Sequence, residues 1–185
     1  MTKKILTSLV LMLVVATSVS AQSLLYTKTG KIYFNCTGGV EPIEGVNKSV
    51  LCALEPQSGK MQFSLQMKGF EFEKDLMKEH FNENYVESDK YPKADFAGQI
   101  SNNAEVNYSK DGVYNVKVSG KLSMHNVTKD VSTTGKITVK GGVATATAEF
   151  SVLLSDYKVE IPSLVKDKIS KDAKITVTCV LDQKK

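Results

Sequence analysis

The feature of this sequence that most constrains its fold is the alternation of apolar and polar residues with a period of two. The clearest run puts Met61, Phe63, Leu65 and Met67 on one face, with polar residues at the positions between them. A period of two is typical of a β-strand that buries one face. It predicts strands in eight runs, at residues 25–34, 46–54, 61–67, 94–100, 114–124, 131–139, 144–154 and 175–181.

Pairs of turn-forming residues separate several of these runs. They are Gly38-Gly39, Ser58-Gly59, Asp111-Gly112 and Gly141-Gly142. Short turns join consecutive strands as antiparallel neighbours. Eight antiparallel strands with one apolar face pack as a sandwich or close into a barrel, and closure removes the exposed edges.

One segment departs from the period of two. Within residues 73–82, Leu76 and Met77 are followed four positions later by His80 and Phe81. Residues four apart lie on the same side of a helix. This spacing predicts one short amphipathic helix between the third and fourth strands.

The first 21 residues have the three parts of a secretory signal peptide. A basic start, Lys3-Lys4, precedes the apolar run Leu9–Ala16, and the small residues of Val19-Ser20-Ala21 form a cleavage site. An apolar run of this length is far below the roughly 20 residues of a transmembrane helix. We therefore predict a signal peptide at residues 1–21, a single domain at residues 22–185, no integral membrane anchor, and a periplasmic or secreted location.

The charge pattern argues against nucleic-acid binding. All 24 basic residues are lysines, and they are scattered along the chain among 20 acidic residues. Nucleic-acid-binding surfaces cluster their positive charge and favour arginine for contacts to phosphates and base edges. The sequence therefore predicts no nucleic-acid partner.

The residues that usually carry enzyme chemistry are few. The two histidines, His80 and His125, have no G-x-S-x-G nucleophile motif to accompany them, and the acidic residues between 71 and 89 are interleaved with lysines as on a solvated face. The cysteines are too widely spaced for a zinc site. We predict neither an enzyme nor a bound metal or cofactor.

Three cysteines allow at most one disulfide within the chain. Cys36 and Cys52 are equally distant from Glu44, so a hairpin centred on Glu44 would place them opposite each other. This register predicts a Cys36–Cys52 disulfide. The alternative is that these two residues and Cys179 are three small buried apolar side chains.

The apolar faces of the predicted strands are rich in slim or flexible residues. They include Met61, Met67, Met77, Met124, Ala144, Ala146, Ala148, Gly98 and Gly120. A small barrel either fills its interior with side chains or holds one small ligand. Small residues beside flexible methionines leave room for an elongated apolar guest, or they simply taper a packed core.

Three stretches of the chain resemble the YceI family. They are FSLQMKGFEF at residues 63–72, KYPKADF at residues 90–96 and GKLSMHNVTK at residues 120–129, and they occur in the family's order. The resemblance extends from about Met61 to Leu181. Members of the family more often have glycine where Asn126 stands in this chain.

This resemblance implies an all-β, eight-stranded antiparallel lipocalin-like barrel with one short helix between strands 3 and 4. It also implies an exported protein that binds a polyisoprenoid or another long-chain lipid without catalysis, in carriage, storage or a stress response. The alternative is a lipid-free structural or interaction barrel of the cell envelope, and the sequence leaves the oligomeric state open.

Strand alternation and the helix together predict which side chains line the lipid site. They are Phe63, Leu65, Met67, Leu76, Met77, Phe81, Phe96, Ile100, Val116, Val118, Leu122, Met124, Ala144, Ala146, Ala148, Phe150 and Val152.

Overall fold

The alternating runs form strands throughout the described part of the chain. The structure is a computed structural model that describes residues 23–39 and 42–185, and the predicted signal peptide, residues 1–21, lies outside it. Ten strands follow one another as β1 Leu25–Thr37, β2 Glu44–Leu54, β3 Lys60–Gln66, β4 Phe70–Glu71, β5 Lys93–Ile100, β6 Gly112–Met124, β7 Val127–Lys140, β8 Val143–Leu153, β9 Ile169–Leu181 and β10 Gln183–Lys184. In these residues, no helix is long and apolar enough to cross a membrane.

The eight long strands form a closed antiparallel ring. Their order around the ring is β1-β9-β8-β7-β6-β5-β3-β2, and β2 pairs back with β1. The two short strands extend the sheet, since β4 pairs with β2 and β10 pairs with β1. The predicted eight-stranded antiparallel barrel is therefore confirmed, and the open sandwich is not formed.

The predicted short helix is also confirmed, although it is interrupted. Helix α1 spans Asp75–His80, and a π-helical turn, Phe81–Tyr85, continues it. Because the two-residue strand β4 precedes it, the helix lies between β4 and β5. The turn carries Phe81 and Tyr85 beneath one end of the barrel, where both side chains contact the interior.

Two strands begin at least four residues before the alternation predicts. Strand β7 begins at Val127 rather than residue 131, and β9 begins at Ile169 rather than residue 175. The early start of β7 follows from a two-residue turn at His125-Asn126, where both residues have positive φ. Asparagine is one of the few residues that adopt this left-handed conformation readily.

The interior is packed solid at one end only. Leu54, Ile100, Ile137 and Leu181 are each at most 1% exposed and fill the barrel at that level. A second cluster of buried residues surrounds the other end, between α1 and the connection from β8 to β9. Any internal site is therefore confined to the middle of the barrel and to this second end.

The wall is interrupted along one seam. The ladder between β7 and β8 runs from Lys140–Val143 to Gly135–Ala148 and ends there, while both strands continue along their other neighbours. The connection between β8 and β9, residues 154–168, contacts β7 beyond this point. It therefore closes part of the wall that strand pairing leaves open.

Candidate lipid-binding cavity

A first apolar chamber lies against the packed end of the barrel. Its volume is about 100 Å³, and its wall is almost wholly apolar. The wall comes from alternate residues of the long strands, as a period of two requires. Its main side chains are Met61, Phe63, Phe96, Val116, Val118, Val131, Ile137, Ala146, Ala148, Phe150 and Val177.

A second chamber adjoins the first towards helix α1. Its volume is about 160 Å³. The two chambers share the side chains of Ile32, Leu65, Ala94 and Leu122. Strands, helix and loops all contribute to its wall. The remaining wall residues are Phe34, Cys36, Ile43, Met67, Phe70, Phe72, Met77, Phe81, Tyr85, Val86, Met124, Val152, Leu154, Val159, Ile169, Ala173 and Ile175.

Most of the predicted lining residues face one of the two chambers. Those on the first are Phe63, Leu65, Phe96, Val116, Val118, Leu122, Ala146, Ala148 and Phe150, and those on the second also include Met67, Met77, Phe81, Met124 and Val152. Their contact with a ligand stays a prediction. Their position on the cavity wall follows from the alternation, because one register of each strand turns a whole face inward.

Three predicted lining residues lie elsewhere. Leu76 is 61% exposed, because Met77 and Phe81 occupy the inward side of the short helix and its neighbour Leu76 faces solvent. Ile100 and Ala144 do point inward, but they lie at the packed end, where they are buried against other core side chains instead of the cavity. The prediction that these three residues line the cavity is therefore wrong: Leu76 is a surface residue, and Ile100 and Ala144 are core residues.

The sequence reasoning missed an aromatic cluster around Phe81. The rings of Phe34, Phe70 and Phe72 surround that of Phe81, with centroid distances of 5.4, 5.4 and 5.0 Å, and all four line the second chamber. Phe70 and Phe72 flank Glu71, so the same period of two carried the signal. Edge and offset contacts of this kind stabilise aromatic pairs beyond the area that they bury.

His125 ties together three segments beneath the second chamber. Its Nδ1 lies 2.8 Å from the carbonyl oxygen of Tyr157, and its Nε2 lies 3.1 Å from a carboxylate oxygen of Glu87. The ring of Tyr91 packs edge-on against the imidazole. Both ring nitrogens therefore face hydrogen-bond acceptors. Hydrogen bonds from Lys90 and His125 also hold the pKa of Glu87 below its usual value.

The cysteines do not pair as the sequence predicted. All three are free thiols, and the β1–β2 ladder places Cys52 opposite Thr27, while Cys36 bonds to Ile43. The hairpin is therefore centred near residue 39 and not on Glu44, which separates Cys36 from Cys52 along the barrel. Cys36 instead lines the second chamber, where burial raises the pKa of its thiol to about 11.

Cys52 contacts Cys179 of β9 across the intervening strand β1. A hydrogen bond between the two thiols and burial together raise the pKa of Cys52. The contact passes over Gly30, because a Cβ at that position would lie 2.6 Å from the sulfur of Cys179. Glycine at residue 30 therefore makes room for the thiol pair.

Comparison with known proteins identifies similar domains. The model of the YceI-like domain family matches residues 20–181. No curated protein sequence matches the chain.

Solved structures share the fold at low sequence identity. A polyisoprenoid-binding domain of Saccharophagus degradans, implicated in plant cell wall breakdown, is 14% identical with a TM-score of 0.73, over 85% of this chain and 97% of that one. BcnA of Burkholderia cenocepacia is 16% identical with a TM-score of 0.67, over 82% and 95% of the two chains. The YCEI protein of Campylobacter jejuni is 18% identical with a TM-score of 0.54, over 78% and 88%.

Proposed function

Because the chain belongs to the family of YceI-like domains, we propose that it is a lipid-binding protein that holds a polyisoprenoid or a similar long-chain amphiphile inside its barrel. The observation that carries the proposal is the pair of adjoining chambers with almost wholly apolar walls. The similar domain of Saccharophagus degradans is named for polyisoprenoid binding, which supports the same class of ligand here.

An apolar guest fits these chambers better than water does. A cavity of about 10–15 Å³ can hold one water molecule, but a buried water needs polar partners. The second chamber offers about 160 Å³ with almost no polar surface. At roughly 24 cal/mol per Å³, leaving such a volume empty costs about 4 kcal/mol. A bound hydrocarbon chain recovers much of that free energy.

The shape of the cavity favours a slender chain over a globular ligand. Wall residues of β6 run from Val116 to Met124. At about 3.3 Å per residue and a strand tilt of about 40°, this stretch is roughly 20 Å long. The flexible methionine side chains of the second chamber, Met67, Met77 and Met124, can adapt to the methyl branches of a prenyl chain.

The proposed role is carriage, storage or protection of the lipid outside the cytoplasm, with no catalytic step. It includes cleavage of residues 1–21 and a periplasmic or secreted location. The N-terminal residue of the protein recovered from the cell envelope tests this part: a chain that begins at Gln22 supports it, and a cytoplasmic chain that retains Met1 contradicts it.

Extraction of the natively purified protein tests the ligand. The protein is isolated without detergent, extracted with organic solvent, and the extract is analysed by mass spectrometry beside one from the variant Ala146→Phe, whose new ring occupies the first chamber. A long-chain lipid that is enriched in the parent and depleted in the variant supports the proposal. Lipid-free extracts, together with no binding of added prenyl alcohols, would favour a structural or interaction barrel instead.

A further inference from the structure

The first chamber ends at one level of the barrel. Ile137 and Ala146 are paired across β7 and β8, and both line the chamber wall. One level further along, Val139 pairs with Ala144, which pairs in turn with Leu181, and these three side chains are at most 2% exposed in the packed core. Because core side chains fill this next level, Ile137 and Ala146 form the floor of the chamber.

The opposite side of the barrel closes the floor as well. Strand β3 lies across the ring from β8, and its residue Met61 lines the same chamber. Met61 pairs with Leu54, and Leu54 and Ile100 are fully buried in the core cluster to which Met61 also belongs. The cavity is therefore blind at the packed end, and a guest chain must end there.

The apolar wall determines which end of an amphiphile reaches this floor. The first chamber has almost no polar surface, so a hydroxyl or phosphate at the floor would be buried without a hydrogen-bond partner. A methyl group at the same place loses nothing. The second chamber is equally apolar. The polar end of the chain therefore finds partners only beyond both chambers, at the end of the barrel beside α1.

The length of the two chambers then sets the length of chain that suits them. They follow β6 from Val116, next to the floor, to Met124. This stretch is roughly 20 Å long at about 3.3 Å per residue and a strand tilt of about 40°. A prenyl unit adds four main-chain carbon–carbon bonds of about 1.5 Å, whose zigzag advances roughly 5 Å. About four units therefore reach from the floor to the end beside α1.

We infer that Ile137 and Ala146 determine the chain length that the barrel prefers, by limiting the enclosed part of a prenyl chain to about four units. The inference rests on the proposed function and makes its ligand more specific. A shorter chain leaves its hydroxyl inside an apolar chamber or leaves part of the cavity empty. A longer chain leaves its additional units in water. Affinity therefore rises with each unit up to this limit and then levels off.

Competition among prenyl alcohols of two to six units measures this limit. The delipidated protein is mixed with equal amounts of the alcohols on a cyclodextrin carrier, and mass spectrometry of the protein-bound and free fractions gives a bound-to-free ratio for each alcohol. In the parent, the ratio should rise at least about tenfold per unit up to four units, because each unit buries five more carbons, and change less than about threefold beyond. A ratio that rises as steeply through five and six units would overturn the inference.

Two substitutions move the floor in opposite directions. Ile137→Ala deepens the cavity and should raise the preference for five units over four at least about threefold relative to the parent. Ala146→Phe raises the floor and should lower the preference for four units over three at least about tenfold; it decides the test if Ile137→Ala does not fold. Leu181→Ala is the matched control, because it truncates a side chain of the level behind the floor. It should cost stability and keep the length profile of the parent. Identical profiles for the parent and both floor variants would refute the inference.

A diol of four prenyl units, with a second hydroxyl at the apolar end, tests the orientation of the chain. The parent should retain this diol at least about tenfold less than the alcohol of the same length, because the second hydroxyl would lie at the floor without a partner. Ala146→Ser adds a hydroxyl to the floor and should recover part of this loss. Equal retention of the diol and the alcohol by the parent would contradict the orientation.

The same competition separates this inference from the proposed function. A parent that retains no prenyl alcohol of any length would refute the proposed lipid cargo and the length limit together. A parent that retains the alcohols without a limit near four units would refute the role of the floor and leave the proposed cargo intact.

Discussion

Enlarging one alanine of the cavity wall should separate ligand binding from stability. Ala146 is 5% exposed and lines the first chamber, which offers about 100 Å³. In Ala146→Phe, the added ring should fill this space. At roughly 24 cal/mol per Å³, filling it stabilises the ligand-free barrel by up to about 2 kcal/mol, less any strain from an imperfect fit.

The same ring should exclude part of the guest. Each buried carbon of a hydrocarbon chain contributes about 0.8 kcal/mol, so displacing one five-carbon prenyl unit removes up to about 4 kcal/mol. Relaxation of the chain within the second chamber reduces this loss, and we expect the affinity for a long prenyl alcohol to fall at least tenfold. Calorimetric titration of the delipidated protein measures the affinity, and urea unfolding measures the stability.

Ala144 supplies the matched control on the same face of the same strand. It is 2% exposed and belongs to the packed end, where the space around it is already filled. Ala144→Phe should therefore destabilise the barrel by about 1–3 kcal/mol through overpacking. If Ala146→Phe unfolded as readily as Ala144→Phe, the first chamber would have no room for a guest chain. If Ala146→Phe bound the alcohol as tightly as the parent, no guest chain would pass the first chamber.

Three further changes probe the end of the barrel beside α1 and the thiols. Phe81→Ala should lower the free energy of unfolding by about 2 kcal/mol, which is less than the loss for a fully buried ring, because Phe81 is only half-buried. An unchanged free energy of unfolding in urea would contradict the packing of Phe81. Refolding in glutathione disulfide should join Cys52 to Cys179, the pair in contact, and peptide mapping that finds another pairing would refute this. The pKa of Glu87 is lowered in the folded protein. Its contribution to stability should therefore be complete above about pH 5 and be lost as the pH falls through that lowered pKa. Glu87→Gln should reduce the loss of stability at acid pH in unfolding experiments, and an unchanged loss would exclude Glu87 as its source.

Alternation predicted which side chains face inward, but it could not predict their level along the barrel. Ala144 and Ala146 are two residues apart on β8 and point the same way, yet the first packs beside Leu181 and the second faces a cavity. What separates them is the size of the side chains that distant strands bring to each level. That depends on register, which the pattern of a single strand does not contain.

The helix shows a different limit of sequence reasoning. Leu76 and Met77 are adjacent apolar residues, about 100° apart around a helix, and the six residues of α1 are too few for periodicity to decide between them. The choice is made by tertiary packing: with Phe81 fixed among its aromatic neighbours, Met77 one turn earlier shares its side and Leu76 does not.

The cysteines show that closure of the barrel decides which distant residues meet. A hairpin argument considers only β1 and β2, and it therefore paired Cys36 with Cys52. Closure brings β9 to the far side of β1, and at residue 30 the absent side chain lets the sulfur of Cys179 reach over the strand towards Cys52. Gly30→Ala would push a methyl group against that sulfur, so the residue that permits the contact belongs to neither cysteine's strand. The contact between Cys52 and Cys179 requires the correct register of three strands, β2, β1 and β9. A local sequence pattern therefore cannot predict it.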